Sequence, residues 1–334
     1  MASLESPRYT VTVLTASGSK YNISDVLTDL MLQESENGIA QRATIKFKQT
    51  KHEGKYATGL INVHDRVYIF ANTGNGAKEV FRGYIWEDVY AKGTEKTITL
   101  TAYDRLIYLQ ESEEYKYYSA GKSTKAIFQD ICDAKGIKLS YSHESMKHSK
   151  MALRGALSDA FESDLLEEVR KKTGKRGIIR DSQGTMQVFT EGKGNSTVYK
   201  LYHGKGGNII DTKHTVTMDG IVTKVIILGS EKDGARAPIK ATVKGKTSTY
   251  GTIQKIISST DSDKLADLKK EANQLIKDYG TPQKNIEVNA VDNPWIRKGD
   301  KIHFDDGYKE GYAYVKSITH DALKKTMSLE IRMA

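Results

Sequence analysis

Asp65-Arg66-Val67-Tyr68-Ile69-Phe70, then Val80-Phe81-Arg82-Gly83-Tyr84-Ile85, then Ile98-Thr99-Leu100-Thr101-Ala102 read as three strands in succession. Each alternates apolar with polar residues, which gives a strand one face to bury and one to leave wet. Much later, Asp300-Lys301-Ile302-His303-Phe304, Tyr312-Ala313-Tyr314-Val315 and Met327-Ser328-Leu329-Glu330-Ile331 repeat the arrangement. Both series begin at a charged turn and pass through a Gly-containing loop and a second loop. A duplicated β module points to a symmetric building block rather than to one catalytic pocket.

Outward from these stretches, Tyr9–Leu14 and Ala43–Lys48 also alternate, so the chain up to about Asp104 reads as a small barrel or sandwich. The texture then changes. Ser123 or Thr124 can cap a helix reaching about Ala134, with Gly136 past its end and Ile127, Phe128, Ile131 and Cys132 on one face. A second helix is predicted over Asp164–Lys172, followed by a hairpin turning at Asp181-Ser182-Gln183-Gly184. Residues 105–197 thus form an α+β insert, and strands resume from about Val198. Thr215–Leu228 reads as one bent strand or as two strands around Asp219-Gly220. Ser230–Thr249 reads as a polar loop or hairpin. A helix near 263–279 carries Leu265, Leu268, Ala272, Leu275 and Ile276 on one face and stops at Gly280 and Pro282. The expected organisation is therefore mainly β: domains at 1–104 and 198–334 flank an α+β middle domain at 105–197.

Composition narrows the function. With 334 residues, 38% hydrophobic and 28% charged, the chain suits two or three soluble domains with cores of their own. No apolar run approaches the roughly 20 residues that cross a bilayer. The opening Met1–Pro7 lacks a signal-peptide pattern, so synthesis and first folding are expected in the cytoplasm. Cys132, the only cysteine, leaves no intrachain disulfide and reads as a small buried apolar residue. The net charge of +9 would suit an anionic partner, but acidic residues are interspersed with the basic ones. The densest basic stretch, Arg170–Arg176, sits where cations favour a helix C-terminus.

Signatures of chemistry are weak. Gly121-Lys122-Ser123-Thr124 resembles the end of a phosphate-binding loop, but Lys116 stands where the leading Gly belongs, and a helix cap is the simpler reading. His143 and His148 are five apart rather than the four that share a helix face, in a segment that reads as a solvated loop. His203, His214, His303 and His320 are scattered. Gly204-Lys205-Gly206-Gly207 reads as a mobile turn. Trp86 and Trp295, each beside one β module, read as core or interface anchors, with sugar stacking as the sharper alternative. No catalytic, cofactor-binding or metal-ligating residue is assigned.

Thr101-Ala102-Tyr103-Asp104-Arg105-Leu106-Ile107-Tyr108-Leu109-Gln110 resembles the Tyr-Asp-Arg-Leu junction of the XkdQ/YqbQ-like baseplate hub proteins of contractile phage tails and phage-tail-like particles (tailocins). Ala126–Cys132 with Gly136-Ile137, Leu166–Lys175, Ser248-Thr249-Tyr250-Gly251, Gly299–Ile302, Tyr314–His320 and Met327–Leu329 follow in the family's order. Ser248 departs from the basic residue often found at that step. The resemblance implies two tube-like β-barrel domains per chain and a homotrimer joining a sixfold tail tube to a threefold spike. It implies a tube or tube-initiator protein, the central spike and other baseplate proteins as partners, with DNA crossing the lumen unread where the particle has a head. It implies a structural protein, not an enzyme, within a virion or tailocin released on lysis, and carries no catalytic residue to transfer. A tail-associated cell-wall hydrolase or wall-binding module is the alternative, and a basic nucleic-acid binder a third reading.

Overall fold

The computed structural model describes residues 6–49, 51–52, 55–56, 59–93, 96–230, 236–259 and 264–334, with backbone alone for 51–52 and 55–56. Alternation becomes strand throughout. Thirteen strands form one large sheet: β1 Arg8–Leu14, β2 Lys20–Asn22, β3 Leu27–Glu34, β4 Arg42–Lys48, β5 Arg66–Asn72, β6 Ala77–Lys92, β7 Lys96–Tyr103, β8 Tyr199–Tyr202, β9 Ile209–Thr217, β10 Gln283–Val291, β11 Lys301–Asp305, β12 Glu310–Asp321 and β13 Thr326–Met333. Their order is β9-β10-β13-β12-β3-β4-β7-β6-β5-β1-β2, with β11 paired to β12 and β8 to β11.

The duplication read from the sequence is present in the topology. Strands β5-β6-β7 form an antiparallel meander, and β11-β12-β13 form another. A pair of neighbouring strands extends each: β3-β4 joins at β7, and β9-β10 joins at β13. The likeness reaches single hydrogen bonds. Asn62 N donates to Asp65 Oδ2 at 2.8 Å, and Arg297 N to Asp300 Oδ2 at 3.0 Å. His64 N donates to Ile85 O, and Gly299 N to Val315 O. Ile85 N returns a bond to Asp65 O, and Val315 N to Asp300 O. His64 and Gly299 both take left-handed backbone, with φ of 69° and 82°. Each middle strand then bulges at the same place, leaving Trp86 unpaired between Ile85 and Glu87, and Lys316 between Val315 and Ser317. The flanking strands differ: β1 runs antiparallel to β5, whereas β8 runs parallel to β11.

The repeats are not two separately closed barrels, as the resemblance implied. Strand β3 pairs with β4 on one side and with β12 of the other repeat on its second side, which merges them into one open sheet. The strand edge that closure would use is spent on joining the repeats.

The chain divides into two compact units. The first comprises Met1–Leu166, Gly177–Lys213 and Glu287–Ala334. Val11, Leu30, Ile45, Phe47, Ile69, Ile85 and Leu100 lie in its first-repeat core. A second core in this unit packs the helix Thr124–Ala134 against Phe161, Leu165, Met186 and Val188. The predicted hairpin pairs Gly177–Ser182 with Thr185–Thr190. Positive φ at Gln183 and Gly184 gives it a tight two-residue turn. The helix expected from Asp164 begins earlier, at Leu157, and passes through a π-helical stretch at Ala160–Leu166 before ending at Thr173.

The second unit comprises Glu167–Arg176 and His214–Ile286. Thr215–Leu228 resolves into two strands: β9 ends at Thr217, and the next strand spans Lys224–Leu228. That strand lies between Ile239–Lys244 and Gln254–Ser258. The helix Leu265–Tyr279 packs against them through Leu268 and Ala272, both buried, with Leu275 and Ile276 partly so. Leu265, expected on the buried face, is exposed because it opens the helix ahead of the packed turns. Part of the predicted loop after Ser230 and the predicted start of this helix fall on residues 231–235 and 260–263, outside the described ones.

Candidate assembly surface

Two stretches of strand edge correspond to each other and meet different fates. On β12, Glu310–Tyr314 pairs with β11, and Ile318–Asp321 pairs with Met31–Glu34 of β3. On β6, Ala77–Tyr84 pairs with β5, but among the described strands nothing lies on the same side of Asp88–Lys92. Ile318, His320 and Asp321 are buried, whereas Trp86 through Lys92 are exposed without a break.

A buried charge network supports the β3–β12 joint. Glu34, 5% exposed, accepts Arg297 Nη2 at 2.6 Å, Arg297 Nε at 3.2 Å and Lys298 N at 3.1 Å. Lys298 Nζ donates to Gly38 O at 2.5 Å, and Arg297 Nη1 to Asp181 O at 2.7 Å. Arg180 Nη1 donates to Asp300 Oδ1 at 2.9 Å. Burial by itself raises the Glu34 carboxyl, but the attraction and hydrogen bonds of Arg297, helped by Arg180 and Lys298, outweigh it and hold the group at about 2. Burial lowers Lys298 despite Glu34. Burial and the neighbouring Asp181 push Asp104 upward, although it accepts the backbone N–H groups of Gln41 and Leu106, each at 2.8 Å.

The two bulge residues separate the stretches further. Lys316 Nζ bonds Glu36 at 2.9 Å and Glu330 at 2.6 Å, so the β12 bulge is closed by ion pairs. Trp86 meets Tyr103 and Tyr108 edge-on at 6.4 and 5.7 Å, yet remains 43% exposed. Val89 and Tyr90, on opposite faces of the same strand, are exposed as well. Exposed apolar edges of this kind mark contact sites.

The other residues singled out in the sequence take structural places. Ser123 accepts the Ala126 N–H as the helix cap. Cys132 is fully buried, and burial pushes its thiol up to about 12, far from a reactive thiolate. His143 and His148 are buried rather than solvated. The first bonds Thr190 Oγ1 at 2.9 Å and the second Thr124 Oγ1 at 2.8 Å, which pins their loop to separate elements. His320 lies between Asp292 Oδ1, at 2.6 Å, and Ile296 O, at 3.1 Å. Gly204–Gly207 is tied by Gly207 N to Gly204 O and by the Tyr202 hydroxyl to Gly206 O at 2.6 Å. In the basic stretch, Arg170 bonds Glu167 and Asp278, and Lys171 bonds Glu271. Trp295 is partly buried beneath Lys78 Nζ. Among the described residues no cluster of three or more His, Cys, Asp or Glu could hold a metal, and no helix is long and apolar enough to cross a membrane. Sequence reasoning missed Glu34 and the Arg297-Lys298 pair; their only sequence signal is the charged turn before Asp300.

Residues 15–332 match the model of the YQBQ-like family, so the chain belongs to that family. No curated protein matches it. Among solved structures it is similar to a tail protein from Neisseria meningitidis MC58, at 12% identity and a TM-score of 0.73, over 97% of this chain and 96% of that one. It is similar also to the 43 kDa tail protein of prophage MuSo2 from Shewanella oneidensis, at 15% identity and a TM-score of 0.71, over 98% of each chain. Prophage tail protein gp18 from Listeria monocytogenes EGD-e follows at 10% identity and a TM-score of 0.62, over 96% of this chain and 94% of that one. At these identities the likeness is one of fold, and the fold is that of phage tail proteins.

Proposed function

We propose that this chain is the structural hub protein of a contractile phage-tail or tailocin baseplate, working as a homotrimer that joins a sixfold tail tube to a threefold spike. The duplication carries the reading: with two matching repeats per chain, three copies present six similar strand modules around one axis. Residues 1–104 and 198–334 then supply the tube-forming layers, and 105–197 decorates them. Family membership and the tail-protein fold support the same role. The function is assembly: one face nucleates the tube or its initiator, the other holds the spike, and other baseplate proteins dock around it. DNA crosses the lumen without specific contacts where the particle has a head. The chain is made in the cytoplasm and leaves within the particle on lysis.

The test is the mass of the native full-length chain, alone and with the tube and spike proteins. A trimer that binds both supports the reading, and monomers under every condition overturn it. Clearing of purified cell wall by the chain would favour the hydrolase instead.

A further inference from the structure

The small sheet of the second unit has two unlike faces. Its central strand, Lys224–Leu228, lies between Ile239–Lys244 and Gln254–Ser258. Alternation sends Val225 and Ile227, both fully buried, towards the helix Leu265–Tyr279. Lys224, Ile226 and Leu228 take the opposite face. There Ile226 lies beside Ile256, and Leu228 beside Ile239. Ile226 and Leu228 are half-buried, whereas Ile256 is 56% and Ile239 54% exposed.

The next row of this face is cationic. Lys224 stands directly opposite Lys244 across the antiparallel pair. Like charges in that position repel. Among the described residues neither lysine has an acidic partner. The three strands together hold four lysines and no Asp, Glu, Arg or aromatic residue. The unit thus keeps an exposed apolar row beside an uncompensated pair of charges.

We propose that this face docks an acidic segment of another protein of the particle, with carboxylates over the Lys224–Lys244 pair and apolar side chains over Ile226, Ile256, Leu228 and Ile239. Charge selects the occupant. A second copy brings a net charge of +9 to a face that already lacks anions. Nucleic acid is held by aromatic platforms and arginine, and these strands offer neither. A charged bilayer gains little from two lysines. An acidic and partly apolar protein surface answers both rows, since it relieves the lysine repulsion and covers the isoleucines. This deepens the baseplate reading above and rests on it.

The experiment uses the full-length chain with the separately purified tube, spike and other baseplate proteins. Native mass and sedimentation read binding, and melting confirms that each variant folds. Lys224→Glu combined with Lys244→Glu, and separately Ile256→Asp, are expected to weaken binding of one acidic partner by about tenfold or more while leaving the trimer unchanged. Lys224→Gln is expected to raise the melting temperature of the free chain by about 1 °C and yet to weaken the complex. A lower melting temperature would show that the two lysines do not repel, and would count against the face. If the chain forms its trimer but no acidic protein binds, or none of the variants changes the binding, the docking face is wrong and the hub reading stands. Binding of a DNA duplex or of phosphatidylglycerol vesicles that these variants abolish would overturn the protein occupant. A wild-type chain that stays monomeric and binds none of the particle proteins overturns both readings.

Discussion

The two β repeats share a turn, a bulge and a meander, yet they treat one stretch of edge in opposite ways. In the second repeat the outer half of β12 is covered by β3, its bulge residue Lys316 is ion-paired, and Glu34 is buried beside Arg297. In the first repeat the outer half of β6 is bare, and its bulge residue is an exposed tryptophan. A joint within one chain forms at high effective concentration, so it tolerates charged groups whose desolvation is repaid by fixed partners. The bare edge of the first repeat has no such fixed partners, and its exposed side chains include Trp86, Val89 and Tyr90. One backbone plan therefore carries two chemistries.

The largest expected effect strikes the inner joint. Arg297→Ala leaves Glu34 buried without its main counter-charge, and should cost about 3–5 kcal/mol in denaturant unfolding. Its counterpart in the first-repeat turn, Asn62, is exposed. Asn62→Ala should cost less than about 1 kcal/mol. Equal losses at the two positions would mean that the two repeats bear the same load at this turn.

Acid should expose the same asymmetry. Glu34 is held at about 2, below its ordinary 4.5. A depressed carboxylate stabilises the fold fully above its unfolded value, and the gain drains away as pH falls through the folded one. The whole shift corresponds to something on the order of 3 kcal/mol. Asp104, Asp181 and Asp300 are raised by burial and pull in the opposite direction, so the absolute pH profile mixes both signs. The stability difference between wild type and Glu34→Gln isolates the one group. It should be constant near neutral pH and shrink between about pH 4.5 and 2. A difference that does not change with pH would mean that Glu34 is not the charged centre of the joint.

A third comparison is steric. Gly83 and Ala313 occupy equivalent places before the two bulges. A Cβ on Gly83 would stand 2.1 Å from Tyr103 O, so β6 and β7 would have to part. Ala313 is accommodated and fully buried. Gly83→Ala should therefore destabilise by about 1–3 kcal/mol through overpacking. Ala313→Gly should cost only about 0.5–1 kcal/mol, mainly through chain entropy. Thermal melting of the pair, and its order, checks this.

These contrasts also mark what the sequence could convey. The meanders were legible because alternation is local, and Asp65 and Asp300 announced their turns. The pairing of β3 with β12 was not, since register between strands so far apart in sequence is set by packing and leaves no local period. Nor was it legible that β9 and β10 are neighbours in the sheet, since residues 218–282 intervene and carry strands and helices of their own. His143 and His148 looked solvated because their neighbours are polar. Their burial comes from Thr190 and Thr124, residues remote in the chain. A tryptophan beside a β strand fits a core or an interface equally, and only the exposure of Trp86 in the folded chain removes the core option.

The smallest expected effect tests the turns themselves. His64 and Gly299 take the same left-handed backbone, which costs a residue with a Cβ roughly 1–2 kcal/mol and a glycine almost nothing. In the second repeat the glycine is also sterically required, because a Cβ on Gly299 would lie 2.7 Å from Ile178 Cγ2. In the first repeat His64 is exposed and stacks on Tyr84 at 5.1 Å between ring centroids, which returns part of the strain. His64→Gly removes the strain, loses the stack and loosens the unfolded chain. The balance should be a gain of about 0.5 kcal/mol, whereas Gly299→Ala should lose about 1–3 kcal/mol. Opposite signs at two positions with matching hydrogen bonds would show that the repeats share a backbone and differ in what packs upon it. A loss for both would mean that the His64 stack outweighs the strain, and that the first turn has become specialised as well.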